Sequence, residues 1–274
     1  MDNIKFKKKF GQNFIYDTNL LKAIVNDGEI TDSDDVLEIG VGAGTLTREI
    51  CQKANKVISY EIDTDLMPTI TQNLINETNS QIVYKDFLKE DSENIKNHFP
   101  NGFKVVANLP YYITTPIIFK LLDECENLKS ITIMVQKEVA ERICAKENTQ
   151  DYGILTIMIN SVADTKIKRI VKRNMFIPMP NVDSAICHIN INRQKFNIIN
   201  MSTFKKVVNS AFNHRRKMLI SNLATDLNVN KSCLENIFLE CDIDTKVRGE
   251  ALSINQFVNL SNKIFEICFS KGEI

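Results

Sequence analysis

The chain predicts an α/β fold: a doubly wound, mostly parallel sheet over residues 1–195, followed by a small all-helical C-terminal domain over residues 196–274. Three observations carry this. Short apolar runs alternate with helical stretches up to about Gln136. Two of those runs end in segments of special composition, Gly40-Val41-Gly42-Ala43-Gly44 and Asn108-Leu109-Pro110-Tyr111, and ligands of open α/β sheets bind at the C-terminal ends of strands. After Arg193 the strand signals fade and the remaining periodicity is helical, which puts the boundary near residue 195.

The elements follow in order. A helix begins after Asp17. Asp35-Val36-Leu37-Glu38-Ile39 is a strand that enters the glycine segment, and a helix starts at Thr45. Lys56 to Ile62 and Gln81 to Tyr84 are the next strands, each followed by an acid or carrying one near its end, Glu61 and Asp86. Phe103 to Ala107 is an apolar run with the pattern of a buried parallel strand. A helix begins at Lys137, and two more strands lie around residues 165–173 and 183–191. Residues 201–213, 215–227, 231–240 and 253–269 read as helices, with no internal repeat and no low-complexity tract.

Composition narrows the class. A chain of 274 residues, 43% hydrophobic, suffices for one α/β core and a smaller second domain. No stretch reaches the ~18 apolar residues of a membrane span. The basic start Lys5-Phe6-Lys7-Lys8-Lys9 lacks the apolar region of a secretion signal, so a cytoplasmic location is expected. The seven cysteines form no Cys-x-x-Cys pair and the three histidines are scattered, which points to reduced thiols and no metal. The net charge of zero conceals a split, with residues 1–192 at −4 and residues 193–274 at +4. Basic clusters stand at Lys5 to Lys9, at Lys166-Lys168-Arg169-Lys172-Arg173 and at His214-Arg215-Arg216-Lys217. Each alone reads as a solvated face; three beside a base-handling site point to RNA phosphates.

The chemistry lies at the strand ends. In Asn108-Leu109-Pro110-Tyr111, the Asn side-chain oxygen and the carbonyl of Leu109 or Pro110 can accept both N–H bonds of an adenine amino group, while Tyr111 stacks on the ring. Proline limits where the neighbouring carbonyls point. The bland alternative is a strand followed by a helix capped by Thr114 or Thr115. Upstream, Gly-x-Gly-x-Gly lacks the spacing of a dinucleotide fingerprint but still permits close approach of a nucleotide-like ligand. Glu61, about twenty residues on, suits a ribose hydroxyl. Asp86 suits an adenine amino group. An adenosyl cofactor in one site and an amine in the other make methyl transfer from S-adenosylmethionine the simplest reaction, driven by alignment rather than by a metal or a covalent residue.

These motifs together resemble the small-subunit (16S-type) ribosomal RNA adenine N6,N6-dimethyltransferases, or dimethyladenosine transferases. The resemblance spans nearly the whole chain. It includes Lys9-Phe10-Gly11-Gln12-Asn13-Phe14, then Glu38-Ile39-Gly40-x-Gly42-x-Gly44, and Asn108-Leu109-Pro110-Tyr111-Tyr112-Ile113. It continues with Phe176-x-Pro178-x-Pro180-x-Val182-Asp183-Ser184-Ala185, Phe212-x-x-Arg215-Arg216-Lys217 with Asn222-Leu223, and Arg248-x-Glu250-x-Leu252-Ser253.

The resemblance implies a Rossmann-like class I methyltransferase sheet and a helical domain that binds the ribosomal RNA or subunit. It also implies that Asn13, the backbone at Ile15, Gly40, Glu61, Asp86 and Asn108 hold S-adenosyl-L-methionine, with S-adenosyl-L-homocysteine as product. Asn108, Leu109, Pro110 and Tyr111 would form the amine site, and Phe176 would close the other face of the target adenine. The implied substrate is two adjacent adenosines in a hairpin near the 3′ end of small-subunit rRNA, which receive four methyl groups on an immature small subunit late in its assembly. Apart from the resemblance, a monomer is expected, because no coiled-coil heptad or extended apolar helix face stands out in the sequence. Two departures from the family pattern are Ile15, where leucine is more frequent, and the neutral overall charge. Two other readings stand beside this one: a dimethyltransferase of one large-subunit (23S-type) adenine that confers antibiotic resistance, and a ribosome-assembly factor whose methylase activity is secondary.

Overall fold

The computed structural model describes residues 13–269, so the basic run Lys5 to Lys9 and the start of the Lys9–Phe14 motif lie outside the described residues. The chain divides into two compact units. One comprises the residues up to Ala140 with Thr165–Ile191, and the other Glu141–Asp164 with the residues from Asn192 onward.

In the first unit the elements run β1 (Phe14–Ile15), α1 (Thr18–Asp27), β2 (Asp35–Ile39), α2 (Thr45–Cys51), β3 (Lys56–Glu61), α3 (Met67–Asn73) and β4 (Ser80–Tyr84). They continue with α4 (Ser92–His98), β5 (Phe103–Asn108), α5 (Thr114–Glu124), β6 (Leu128–Gln136) and the start of α6 (Lys137–Ile143). After the excursion into the second unit come β7 (Ala163–Val171), β8 (Phe176–Ile177) and β9 (Ser184–Ile191). Asp17 starts α1 by accepting from the Leu20 amide at 2.9 Å, and the helix buries Leu20, Leu21, Ile24 and Val25 along one face.

Seven strands form one sheet in the order β4-β3-β2-β5-β6-β9-β7. The pairs β3–β4, β2–β3, β2–β5 and β5–β6 are parallel. The apolar runs of β2, β3, β5 and β6 are buried on both faces, as Val36, Leu37, Val57, Val105, Val106 and Ile131 show, while the edge strand β4 is only partly buried. Successive strands step outward to one side of β2 through β3 and β4, and to the other through β5 and β6. The order therefore reverses between β2 and β5, and a crevice opens beyond the C-terminal ends of these two neighbours. The glycine segment follows β2 and the Asn108 segment follows β5, so the topology alone brings the two motifs together.

Strand β9 is antiparallel to β6, with Ser184 opposite Gln136 and Asn190 opposite Ser130. Separately, Phe14–Ile15 pairs antiparallel with Phe176–Ile177 in a two-stranded sheet that two-residue runs do not announce in a sequence.

The second unit holds α7 (Ile154–Asn160), α8 (Met201–Asn213), α9 (Leu219–Asp226), α10 (Lys231–Glu240) and α11 (Ile254–Ile264). Phe204, Val208, Leu223, Phe238 and Phe257 pack with Tyr152 and Ile157 in its core, and the Tyr152 hydroxyl donates to the Leu252 carbonyl at 2.8 Å. Residues 141–164 thus belong with the helices rather than with residues 1–140, and the chain crosses between units after Ile191. A single boundary near 195 misses this because the apolar spacing of α7 says that it is buried, not in which core. The helix expected from residue 215 begins at Leu219, because Arg215 leaves the helical path and its guanidinium donates to the carbonyls of Gln150 at 3.1 Å and Tyr152 at 2.6 Å.

Candidate active site

A cavity of about 180 Å³ occupies the crevice in the first unit. Asn13, Ile15, Gly40, Glu61, Asp86 and Asn108 all line it, together with Leu109 and Pro110. The glycine segment shapes one wall. Gly40, Gly42 and Gly44 adopt φ of 84°, 59° and 79°, values that disfavour any side chain. A Cβ at Gly42 would stand 3.1 Å from the Phe14 ring, so the residue is glycine for space as well as for backbone geometry.

The acids at the ends of β3 and β4 are held by backbone amides. Glu61 Oε2 accepts from the Gly42 amide at 2.9 Å and Oε1 from the Asp63 amide at 2.8 Å. Burial raises the Glu61 pKa, opposed by the amides of Asp63, Gly42 and Ile62. Asp86 caps the short turn Phe87–Lys89 through Oδ1, which accepts from the Leu88 amide at 3.0 Å. Its second oxygen keeps the acceptor capacity that an amino group would use.

Asn108 joins the two halves. Its Nδ2 donates to the Asn13 carbonyl at 3.0 Å, which fixes which end of the carboxamide is the acceptor and turns Oδ1 away from Asn13. The Pro110 carbonyl already accepts from the Ile113 amide and the Thr114 hydroxyl, both at 3.2 Å. Of the two carbonyls that the tetrapeptide offered, Leu109's is therefore the better candidate acceptor. Thr114 serves that bond instead of capping α5, whose N-cap residue Ile113 has no side-chain cap bond.

Tyr111 and Phe176 do not line this cavity. The Tyr111 hydroxyl is hydrogen-bonded to Ser184 Oγ at 2.8 Å. Phe176 is 2% exposed and packs with Ile15, Leu21, Ile24 and Ile186, drawn in by its pairing with Ile15. Its position is that of an aromatic ring tucked onto the core, away from the place that closing the adenine's other face would require.

Two residues that the sequence reading did not single out belong to the site region. Tyr112, 57% exposed, lines the cavity mouth. Glu38 is fully buried: Oε2 accepts from the Thr47 and Ser59 hydroxyls, both at 2.7 Å, and Oε1 has no hydrogen-bond partner. Burial pushes its carboxyl pKa up to about 8 against those two bonds. An acid inside an otherwise apolar strand run was the signal for it.

Much of the basic cluster on β7 is spent within the chain. Lys168 pairs with Glu29 at 2.9 Å, Arg169 with Asp27 at 2.6 Å and Lys172 with Asp183 at 2.9 Å. These three cations are poorer candidates for RNA phosphates than the sequence implied.

A family model described as ribosomal RNA adenine dimethylase matches residues 3–266. The chain belongs to the ribosomal RNA adenine dimethylase family. It is an S-adenosylmethionine-dependent methyltransferase of that family, with a Rossmann-like class I sheet. A relative from Clostridium botulinum (strain Kyoto / Type A2), named ribosomal RNA small subunit methyltransferase A, is 45% identical over 264 residues, covering 96% of this chain and 95% of its own length. A relative of the same name from Clostridioides difficile (strain 630) is 43% identical over 265 residues, covering 96% and 92%. Among solved structures, a dimethyladenosine transferase from Plasmodium falciparum superposes with a TM-score of 0.80 at 27% identity over 92% of this dimethylase and 98% of that chain. The 23S rRNA methyltransferase ErmE gives 0.69 at 26% identity over 92% and 99%. Among the described residues of the dimethylase, no helix is long and apolar enough to cross a membrane.

Proposed function

We propose that this dimethylase methylates N6 of two adjacent adenosines in a hairpin near the 3′ end of small-subunit rRNA, on an immature subunit late in assembly and in the cytoplasm. The observation that carries the reading is Asn108, anchored on the Asn13 carbonyl at the edge of a cavity whose walls suit an adenosyl group. The cavity fits that group in two respects: Gly42 stands where a Cβ would crowd the Phe14 ring, and a carboxylate stands at the end of each of two neighbouring strands. Glu61 would hold the ribose hydroxyls and Asp86 the adenine amino group, with Asn13 and the backbone at Ile15 and Gly40 completing the cradle.

S-adenosylmethionine, when bound, supplies an electrophilic methyl group on a sulfonium. The chain's own residues then have to present a nitrogen to it. Asn108 Oδ1 and the Leu109 carbonyl accept the two N–H bonds of the adenine amine, which aims the nitrogen lone pair and favours the charge that develops on it. Pro110 keeps the turn rigid. Tyr111 stacks on the base, and Phe176 covers its other face once that ring is drawn from the core. The proton then leaves to water.

The helical unit, with the net positive charge of residues 193–274, would contact rRNA phosphates, and the protein would act as a monomer. Arg216 and Lys217 are the better candidates there, because Arg215 braces its own unit.

Labelled methyl transfer from S-adenosylmethionine to unmethylated small and large ribosomal subunits tests the substrate. Label confined to the small subunit supports the proposal. Label in the large subunit would favour the second reading, which the likeness to the 23S methyltransferase ErmE keeps open.

A further inference from the structure

Because β9 runs antiparallel to β6, its first residue lies at the C-terminal end of β6. Asn108 pairs with Met134 and Ser184 with Gln136, two residues further along the same strand. Ser184 is thus delivered to the crevice end of the sheet, beside the Asn108 segment. It is fully buried, and its Oγ lies 2.8 Å from the Tyr111 hydroxyl.

Ser184 is held firmly. The preceding residue, Asp183, accepts from the Lys137 amide through its carbonyl at 3.0 Å. The Asp183 carboxylate accepts from Lys172 Nζ at 2.9 Å and from the Arg173 amide at 3.0 Å. Tyr111, by contrast, opens a single short turn, Tyr111–Ile113, with no sheet pairing of its own. A ring on such a turn can swing about two side-chain torsions unless its far end is tied. The tie is the bond to Ser184.

We propose that Ser184 is a positioning residue for the methyl-accepting base: its hydroxyl holds the Tyr111 phenol and so fixes the plane against which the target adenine stacks. This rests on the reading of Tyr111 as the stacking residue. Stacking needs overlap of two flat faces at one separation, so a ring free to rotate presents the amine at the wrong angle to the methyl donor even when cofactor and RNA are bound. Ser184 touches neither substrate nor cofactor in this scheme.

The test uses the full-length chain with unmethylated small subunits, steady-state kinetics and calorimetry of S-adenosylmethionine binding. Ser184→Ala and Tyr111→Phe should each lower kcat by about tenfold, and the double variant should be no slower than either, as expected of residues acting as one unit. Cofactor affinity should stay within about twofold of the starting protein, and Ser184→Thr, which keeps the hydroxyl, should recover most of the rate. Unchanged kcat in Ser184→Ala overturns the proposal, as does a double variant whose losses multiply. A parallel collapse of cofactor affinity also overturns it, since that marks a general packing role. Tyr111→Ala separates the levels. If it is inactive while Ser184→Ala is not impaired, only the Ser184 assignment falls; if Tyr111→Ala turns over normally, the stacking role falls and this proposal with it.

Discussion

The two halves of the site are built differently. The half proposed for the cofactor is made of strand ends and the turns that follow them: Gly40 to Gly44 after β2, Glu61 on β3 and Asp86 after β4. Its polar groups are tied to nearby amides, Gly42 to Glu61 and Leu88 to Asp86, and all four residues line the same cavity. The half proposed for the base draws on distant parts of the chain. Tyr111 is tied to Ser184, and Phe176 is buried against Ile15. Asn108 belongs to both through its bond to Asn13. The lesson is that a small cleft can be encoded within short strand–turn segments, whereas the surroundings of Tyr111 and Phe176 are assembled by register between strands far apart in sequence.

The largest effect should come from the shared residue. Asn108→Ala should reduce kcat by about two orders of magnitude or more, since it removes an acceptor aimed at the developing charge. Subunit binding, followed by sedimentation, should be retained. Equal loss of both would mean that Asn108 holds the site together and does not aim the amine.

Next in size, Gly42→Ala should weaken S-adenosylmethionine binding by about tenfold or more while leaving subunit binding intact. The added Cβ faces both φ of 59° and the Phe14 ring at 3.1 Å. Calorimetry reads the first and sedimentation the second, and subunit binding that fell in step would erase the distinction between the halves.

Glu38, buried in the strand that leads to the glycine segment, gives the fold a pH signature. Its carboxyl is raised from 4.5 to about 8 in the folded chain. Between those values the folded state holds a proton that the unfolded state has released, so stability falls as pH rises, by at most about 1.4 kcal/mol per pH unit. Thermal denaturation from pH 5 to pH 9 should show this decline, and Glu38→Gln should flatten it. A decline unaltered in Glu38→Gln would place its origin elsewhere.

Legibility followed the same divide. The strand ending at Asn108 and the helices over Met201–Asn213 and Lys231–Glu240 were readable because apolar period and turn residues are local signals. Gly40, Glu61, Asp86 and Asn108 stand in such local segments and were singled out from them, whereas Asn13 and Ile15 came only from the family resemblance. The β1–β8 pairing, the direction of β9 and the membership of residues 141–164 were not, because each is decided by contacts that local patterns do not encode. The bonds that neutralise Lys168 and Arg169 join residues 139 and 142 apart in sequence. A cluster of like charges therefore announced more RNA-binding capacity than the folded chain has to spare.

The helical unit offers the two smallest predictions. Arg215→Ala should cost about 1–2 kcal/mol of stability, from its two carbonyl bonds, with little change in the salt dependence of subunit binding. Replacing Arg216 and Lys217 with alanine should do the reverse, reducing the slope of log affinity against log salt by roughly one per lost contact. An unchanged slope would count against that surface.

The measurement that bears most directly on the whole account is the mapping of methyl groups on small-subunit rRNA after reaction with the wild-type enzyme, by mass spectrometry of nuclease fragments. The expected product is N6,N6-dimethyladenosine at two adjacent positions in the hairpin near the 3′ end and nowhere else. Methyl groups on other nucleotides, or none on a small subunit that the protein binds tightly, would contradict it.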